Sequence, residues 1–195
     1  MFTGIITHLG QIKNIEQKES QTYFTIESEL VRSLSLGASV AVDGICLTVT
    51  ELDLHAFQVQ TMPETLKLTN LLQRKIEDRL NLEPALKLDQ GIDGHLVQGH
   101  VDGVGKVVEN IRRQDQNWIL KIQPPKELLK YIAHKGSITI NGVSLTVSNL
   151  VADSFEVSLI DYTLQHTNLS VLLKDDSVNL EVDLIARYLE KLIQK

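Results

Sequence analysis

The chain has 195 residues, a formal net charge of −6 and 43% apolar residues, enough to bury two modest cores. The acidic balance argues against nucleic acid as a partner, since phosphate binding requires clustered Lys and Arg. One cysteine cannot form an intrachain disulfide, no apolar run nears the roughly 18–20 residues of a membrane span, and no basic-then-apolar leader opens the sequence, so a soluble, cytoplasmic protein is expected.

In chain order the patterns are those of short strands. Leu30, Val31 and Leu34 predict one short helix after the opening strands. Ser39 to Thr50 is β-rich and is interrupted by Asp43-Gly44, a pair that tolerates positive φ and marks a hairpin or bulge. Phe57, Val59 and Thr61 then alternate with Gln58 and Gln60, as in a strand with one buried face. After that the chain repeats itself. Val42–Thr50 returns as Ile140–Ser148, Glu64–Leu71 as Tyr162–Leu169, and Asn81–Glu83 as Asn179–Glu181, each 98 residues later (Gly44 to Gly142, Asn81 to Asn179). Asn141-Gly142 replaces Asp43-Gly44, Leu128, Leu129 and Ile132 repeat the short helix behind Pro124-Pro125, and Phe155, Val157 and Leu159 repeat the alternating strand. A 98-residue period far exceeds the roughly 20–50 residues of solenoid units and is the size of a small domain.

Many short strands with frequent turns favour closed barrels, because closure removes exposed strand edges. The expected fold is therefore mainly β: two tandem six-stranded antiparallel barrels, residues 1–88 and 89–182, with the junction near Leu86 to Gly94. Residues 183–195 form the last unit, where Leu184, Ile185, Tyr188, Leu189 and Leu192 give one apolar stripe over a helix from Asp183 to Gln194. The first repeat has no counterpart after Glu83. A dozen residues make a marginal helix alone, so the stripe either assembles subunits or packs back on its own barrel.

The densest polar cluster runs from Gly94 to Gly105 and aligns loosely with Phe2 to Ile6. Its His95, His100 and Asp102 do not have metal-ligand spacing, and Gly99 to Lys106 fails the phosphate-loop pattern. Glycines that permit tight packing and histidines that satisfy backbone groups are the plain alternative. Cys46 and Ser144, Asp43 and Asn141, and Glu64 and Tyr162 occupy equivalent places, so two related pockets would differ there. Cys46 also fits a small buried apolar position, Ser144, Thr48 and Thr146 fit ordinary strand hydroxyls, Asp183 fits a helix N-cap, and Lys135 beside Gly136 fits a solvated cation. Residue chemistry alone stops at two ligand-binding barrels with polar lips.

The opening MFTGII, then DGICLTVT, MPETLKLTNL, GHLVQGHVDG, NGVSLTVS and the ending VNLEVDLIARYLEKL resemble, in order and over the whole chain, the riboflavin synthase family. The resemblance implies an enzyme of the transferase class, a homotrimer assembled by the C-terminal helix, and neither cofactor nor metal. It also implies dismutation of two 6,7-dimethyl-8-ribityllumazine molecules per active site, with association with lumazine synthase as a further partner. Carried over, Phe2, Gly4, Ile5, Ile6, Cys46, Leu47, Thr48, Gln60, Thr61, Met62, Pro63, Glu64 and Thr65 serve the first-barrel ligand. Gly99, His100, Val101, Lys135, Ser144, Leu145, Thr146, Ser158, Leu159, Ile160, Asp161, Tyr162 and Thr163 serve the second. His100 and Ser144 are expected to act on one lumazine and Cys46 and Thr48 on the other, with Asp183 orienting the second-barrel group. Two departures from the family pattern stand out: Asp161-Tyr162 where Pro-Glu is usual, and Asp93 where glycine is usual. The alternative reading is a non-catalytic fluorescent accessory protein that holds a lumazine or flavin. Such proteins typically lose the glycine-histidine stretch and the Cys or Ser that this chain keeps. A flavoprotein reductase barrel would need a dinucleotide-binding unit, and the sequence has no G-x-G-x-x-G turn in a βαβ setting.

Overall fold

Phe57, Val59 and Thr61 are buried and alternate with half-buried neighbours, and this period-two pattern builds both walls of the molecule. The structure is a computed structural model that describes residues 1–114 and 117–193. Its first six strands are β1 (His8–Lys18), β2 (Gln21–Glu27), β3 (Ser39–Val42), β4 (Ile45–Leu52), β5 (Ala56–Thr61) and β6 (Arg79–Pro84). They close an antiparallel barrel in the order β1-β2-β5-β4-β3-β6. The second six are β7 (Gly103–Arg112), β8 (Trp118–Gln123), β9 (Ser137–Ile140), β10 (Val143–Val151), β11 (Ser154–Leu159) and β12 (Ser177–Val182). They close the same way, so the expected pair of six-stranded barrels is present.

Each barrel holds its own core: Ile12, Phe24, Ile26, Val40, Val59 and Leu82 in the first, Val107, Leu120, Ile122, Ile138, Phe155 and Leu180 in the second. Alternation decides which expected pocket residues join these cores. Leu47 and Leu159 turn inward and are buried, and Leu145 packs against the second core. Thr61 is buried and donates its hydroxyl to the Thr22 carbonyl at 2.9 Å. These four side chains therefore contribute to the barrel walls.

Helical segments are more numerous than the sequence predicts. The Leu30 and Leu128 segments are 3₁₀ turns (Glu29–Ser33 and Lys126–Tyr131). Each repeat also carries a short α-helix, α1 (Pro63–Leu68) and α2 (Asp161–His166), followed by a 3₁₀ turn (Asn70–Gln73 and Asn168–Val171). Six residues are too few to display a 3.6-residue period, which is why sequence patterning passes over them. Their signals are local: Pro63 opens α1, and Thr69 and Thr167 donate to the Thr65 and Thr163 carbonyls at 2.7 Å each.

The final helix, α3 (Leu184–Ile193), starts where Asp183 accepts the Ile185 N–H at 2.9 Å. Its polar face docks on its own chain: Arg187 donates to the His100 carbonyl at 3.0 Å and to Asp102 at 2.7 Å, and Glu190 contacts Lys130 and Tyr131. Ile185, Tyr188, Leu189, Leu192 and Ile193 remain exposed. The helix thus packs back through its polar side while the apolar stripe faces outward. Gln194 and Lys195, expected at its end, lie outside the described residues.

The barrels meet at their equivalent hairpin turns. Asp43-Gly44 and Asn141-Gly142 have positive φ at both positions, as a type I′ turn requires. They lie so close that a Cβ on Gly44 would sit 2.7 Å from the Gly142 nitrogen, and the converse distance is also 2.7 Å. Asp43 and Asn141, expected to distinguish two pockets, are instead wholly buried at this junction. Asp43 pairs with Arg74 and accepts from the Asn81 N–H and the Asn168 amide, at 2.8 Å each. Asn141 accepts from the Asn179 N–H at 2.9 Å, and Asn81 reaches across to the Asn141 carbonyl and to Asn168, at 2.9 Å each. The hairpin dipeptides were legible, but their partners lie up to 136 residues away.

Replacing Asp43 by Ala strands the largely buried Arg74 guanidinium and removes an acceptor shared by three donors. A loss of about 3–5 kcal/mol is expected, as for one partner of a buried ion pair. Chemical denaturation reads it as a lowered midpoint; an unchanged midpoint would contradict this account of the junction.

Candidate functional site

The leading segment of each repeat crosses to the other barrel. Phe2 and Val97 pair as a small antiparallel bridge, with N–H···O distances of 2.7 and 3.1 Å. Beyond this bridge the Ser144 N–H donates to the Gly4 carbonyl at 2.8 Å, and the Cys46 N–H donates to the Gly99 carbonyl at 2.9 Å. Ile6 accordingly packs on the second core and Val101 on the first. The expected allocation is therefore reversed: Gly4, Ile5 and Ile6 belong to the second barrel's lip, and Gly99, His100 and Val101 to the first's. Phe2 is also relocated. It is fully buried and packs with Ala41 and Val97.

Two carboxylates clamp the crossed segments. Glu83 accepts from the Thr3 N–H at 2.7 Å, the Thr3 hydroxyl at 2.8 Å and the Gly4 N–H at 2.9 Å. Glu181 accepts from the N–H groups of Gln98, Gly99 and His100 at 2.7, 2.9 and 3.0 Å. Burial pushes both carboxyls above the usual carboxylate range, while the backbone donors pull them back. Glycine is required at the contact itself. Gly4 and Gly99 have φ near +77° and +78°, and a Cβ on either would lie 2.6 Å from the Cβ of Ser144 or Cys46.

A cavity of about 370 Å³ opens beside Cys46, a size suited to a small organic ligand. It is lined by Ile45, Cys46, Met62, Glu64, Thr65, Leu68, Thr69, Gly99, His100 and Val101. Cys46, Met62, Glu64 and Thr65 of the expected first-barrel set are thus brought together, and Ile45, Leu68 and Thr69 are additions. Thr48 and Gln60 pair directly across β4 and β5 on the outer face, and Pro63 is the first residue of α1.

On the second barrel the counterparts are Ser144, Ile160, Tyr162, Thr163, Gly4 and Ile5. Ile160 and Tyr162 are exposed, Asp161 opens α2, and Tyr162 stacks on His166 with centroids 4.0 Å apart and planes 17° from parallel. Thr146 and Ser158 are exposed on β10 and β11, paired with Ser137 and Ile119. Lys135 is exposed at φ +63°, its N–H bonded to the Val147 carbonyl at 2.9 Å.

The expected His100–Ser144 pairing does not form. His95 takes that place, with Nδ1 2.8 Å from the Ser144 hydroxyl, while His100 stands with Cys46. Burial lowers the His95 pKa and the nearby Asp183 carboxylate partly offsets this, which favours the neutral imidazole beside the Ser144 hydroxyl. Asp183 therefore caps α3 and also acts on His95. The histidine doublet flanking Leu96 to Gly99 was a visible signal; which histidine met which barrel was not. The conceivable metal cluster separates, because His95 meets Ser144, His100 the first cavity, and Asp102 Arg187.

Comparison with known proteins decides the family. The lumazine binding domain model matches twice, over residues 3–85 and 98–183. Over 100% of this chain, the riboflavin synthase of Actinobacillus pleuropneumoniae is 39% identical across 91% of its own length. That of Mycobacterium tuberculosis is 40% identical across 98% of its length, and that of Bacillus subtilis 38% across 91%. The chain belongs to the riboflavin synthase family. The expectation of an enzyme of the transferase class is met by the same relatives. Among solved structures, LumP complexed with riboflavin superposes with a TM-score of 0.87 at 24% identity, covering 93% of this chain and 99% of that one, which shows a shared fold. LumP complexed with flavin mononucleotide gives 0.83 at 26% identity with the same coverage.

In this family member the imidazole of His95 is expected to titrate below the ordinary histidine value of 6.5. Asp183→Asn removes the charge that raises it and should move the midpoint lower still. Histidine NMR titration checks both; a midpoint that rises in the variant contradicts the assigned geometry.

Proposed function

We propose that the chain converts two molecules of 6,7-dimethyl-8-ribityllumazine into riboflavin and 5-amino-6-ribitylaminouracil, the last step of riboflavin biosynthesis. The crossing of the leading segments carries this reading. It sets equivalent backbone cradles beside Cys46 on one barrel and Ser144 on the other, so two like rings meet like seats. In the reaction a four-carbon unit leaves one lumazine and joins the other. The atoms of two substrate molecules equal those of the two products, so no oxidant or reductant enters. The C7 methyl is acidic because the heterocycle delocalises the resulting carbanion, and the reaction accordingly needs neither metal nor cofactor. Holding the rings at reacting distance supplies the larger share, since effective molarity contributes about 7–11 kcal/mol.

Ser144, with His95 at its hydroxyl as the group that takes its proton and Asp183 beside that imidazole, adds to or relays a proton at C7 of the lumazine on the second barrel. Cys46, with His100 and Thr48 nearby, serves the lumazine on the first. Glu64 and Thr65, and Tyr162 and Thr163, face the ribityl chains. Equivalent seats on one chain open on different barrels, so the productive pair forms between the first barrel of one subunit and the second barrel of its neighbour. The exposed stripe of α3 supports a homotrimer as the assembly that brings them together. A reduced Cys46 fits a cytoplasmic setting, and lumazine synthase, which would supply the substrate, is the natural associate.

A second reading, storage of a lumazine or flavin as a fluorophore, is favoured by the likeness to LumP complexed with 6,7-dimethyl-8-(1'-D-ribityl) lumazine, with a TM-score of 0.84. Incubation of the protein with the lumazine alone separates the two. Equimolar riboflavin and pyrimidine is the expected result, and a stable bound fluorophore without turnover would establish the second reading instead. Cys46→Ala, Ser144→Ala and His95→Gln are each expected to slow turnover by about 10²–10⁴-fold with lumazine affinity nearly kept. Near-normal rates in all three would remove these role assignments. Leu189→Glu combined with Leu192→Glu is expected to dissociate the assembly and abolish turnover while the barrels stay folded, as read by sedimentation and circular dichroism.

A further inference from the structure

The backbone of His100 is held by charged side chains at both ends. Its N–H donates to Glu181 at 3.0 Å, and its carbonyl accepts from Arg187 Nη2 at 3.0 Å. The same Nη2 donates to Asp102 at 2.7 Å, and that carboxylate oxygen also accepts the Val182 N–H at 2.8 Å. Glu181, Arg187 and Asp102 thus fix one segment of chain, Gly99 to Asp102. His100 lines the Cys46 cavity, and the neighbouring Gly99 carbonyl takes the Cys46 N–H at 2.9 Å.

The sister segment is built differently. Glu83 gathers the N–H groups of Thr3 and Gly4 as Glu181 gathers those of Gln98 to His100. Thr7, however, stands where Asp102 stands: their N–H groups meet the Leu82 and Leu180 carbonyls at 3.1 and 2.8 Å. The Thr7 hydroxyl donates to the same Leu82 carbonyl at 3.4 Å, so this repeat has no carboxylate at that place to hold a cation. Among the described residues, no helix stands between β6 and β7 to deliver one. Duplication accounts for the carboxylate clamp, and α3 adds the arginine.

The helix that carries Arg187 does not explain its position. It is the fourth residue of α3, in the first turn, where the macrodipole disfavours a cation. Glu190, three residues on and within reach of an intrahelical pair, turns to Lys130 and Tyr131 instead. Arg187 meets a carbonyl and a carboxylate beside the cavity mouth, and such charge-assisted bonds are roughly twice as strong as neutral ones. Its side chain is 26% exposed and that of Asp102 19%, so solvent ions screen the pair little.

We propose that Arg187 is a positioning residue for the reaction at the first barrel: delivered by α3, its guanidinium holds the His100 carbonyl against Asp102 and so sets the imidazole beside Cys46. The proposal rests on the reading of Cys46 and His100 as the groups that serve the first-barrel lumazine. Arg187 itself does not line the cavity and acts through His100. A displacement of about 1 Å at such a group costs about 10²-fold in rate. The lip beside Ser144 has no arginine of this kind, so the two half-sites depend on α3 in different ways.

Amide hydrogen exchange of the full chain, read residue by residue, tests the coupling without substrate. In Arg187→Met the Gly99 and His100 amides are expected to exchange about tenfold faster, while those of Thr3 and Gly4, clamped by Glu83, keep their rates. Arg187→Lys retains a charged donor and should restore part of the protection. Glu190→Gln loosens the helix elsewhere and should leave Gly99 and His100 unchanged. Repeating the comparison in the Leu189→Glu, Leu192→Glu background removes subunit contact as a cause. In turnover, Arg187→Met should lower kcat about tenfold or more with KM within about twofold, and Arg187→Lys should recover part of the loss. Unchanged exchange at Gly99 and His100, equal acceleration at Thr3 and Gly4, or an equal effect of Glu190→Gln would overturn the proposal. So would a loss confined to KM. Failure of lumazine turnover in the unmodified protein bears on the reaction alone, because exchange is measured without it and still decides whether Arg187 holds His100.

Discussion

The back-to-back contact of the two type I′ turns is the constraint on which the rest of the molecule depends. Asp43-Gly44 and Asn141-Gly142 approach so closely that neither glycine can carry a side chain without moving the other turn. Such an approach buries backbone and amide groups that must find partners, since an unpaired buried polar group costs about 1–3 kcal/mol. Asn81, Asn168 and Asn179, with Asp43 and Arg74, supply them. The result is a polar seam between two apolar barrels. A purely apolar seam could slide, whereas directional bonds between named atoms fix one relation of barrel to barrel.

With that relation fixed, the crossing of the leading segments follows. Phe2 and Val97 sit against each other next to the seam, so each segment's continuation lies nearer the opposite barrel than its own. Glu83 and Glu181, each placed at the end of its barrel's last strand, then gather the N–H groups of the segment that begins its own repeat. The carbonyls of Gly4 and Gly99 on the far side of those segments are free to take the strand N–H of Ser144 and Cys46. A single carboxylate per barrel thereby shapes the lip of the neighbouring one.

How much of this was legible in the sequence depends on the range of the interaction. Hairpin turns, alternating strands, the duplication and the equivalence of Cys46 and Ser144 are local and were readable. The pairing of lips with barrels was not. The blocks around Asn81 repeat at 98 residues, but Gly4 and Gly99 are 95 apart. The offset is 95 from Ile12 to Val107, 96 from Ile26 to Ile122, which pair with them, and 98 from Leu30 to Leu128, so the second repeat gains one residue between its first two strands and two before its 3₁₀ turn. That change loosens the alignment of the Gly94–Gly105 stretch with Phe2–Ile6, so sequence comparison could not say which histidine matched which position. Asp43 was misjudged for a related reason: its variation to Asn141 looks like a difference between pockets, yet it answers Arg74, whose counterpart Leu172 carries no charge.

Identical reactants in unlike roles require a frame that is symmetric and lips that are not. The barrels supply the first through the seam. The second arises where duplication has been relaxed: Cys46 against Ser144, Glu64 against Tyr162, Leu68 against His166 stacked on that tyrosine, and His95 present on one side only. Helix α3, which lies outside the duplication, joins these differences to one another. Asp183 caps it and biases His95, while Arg187, one turn on, holds the carbonyl of His100 at the first barrel's cavity. Both histidines are thus connected to the helix whose other face is an uncovered apolar stripe. Any packing that shifts this helix shifts the backbone under His100 and the charge beside His95. The alignment of the two proposed half-sites therefore depends on where this helix sits.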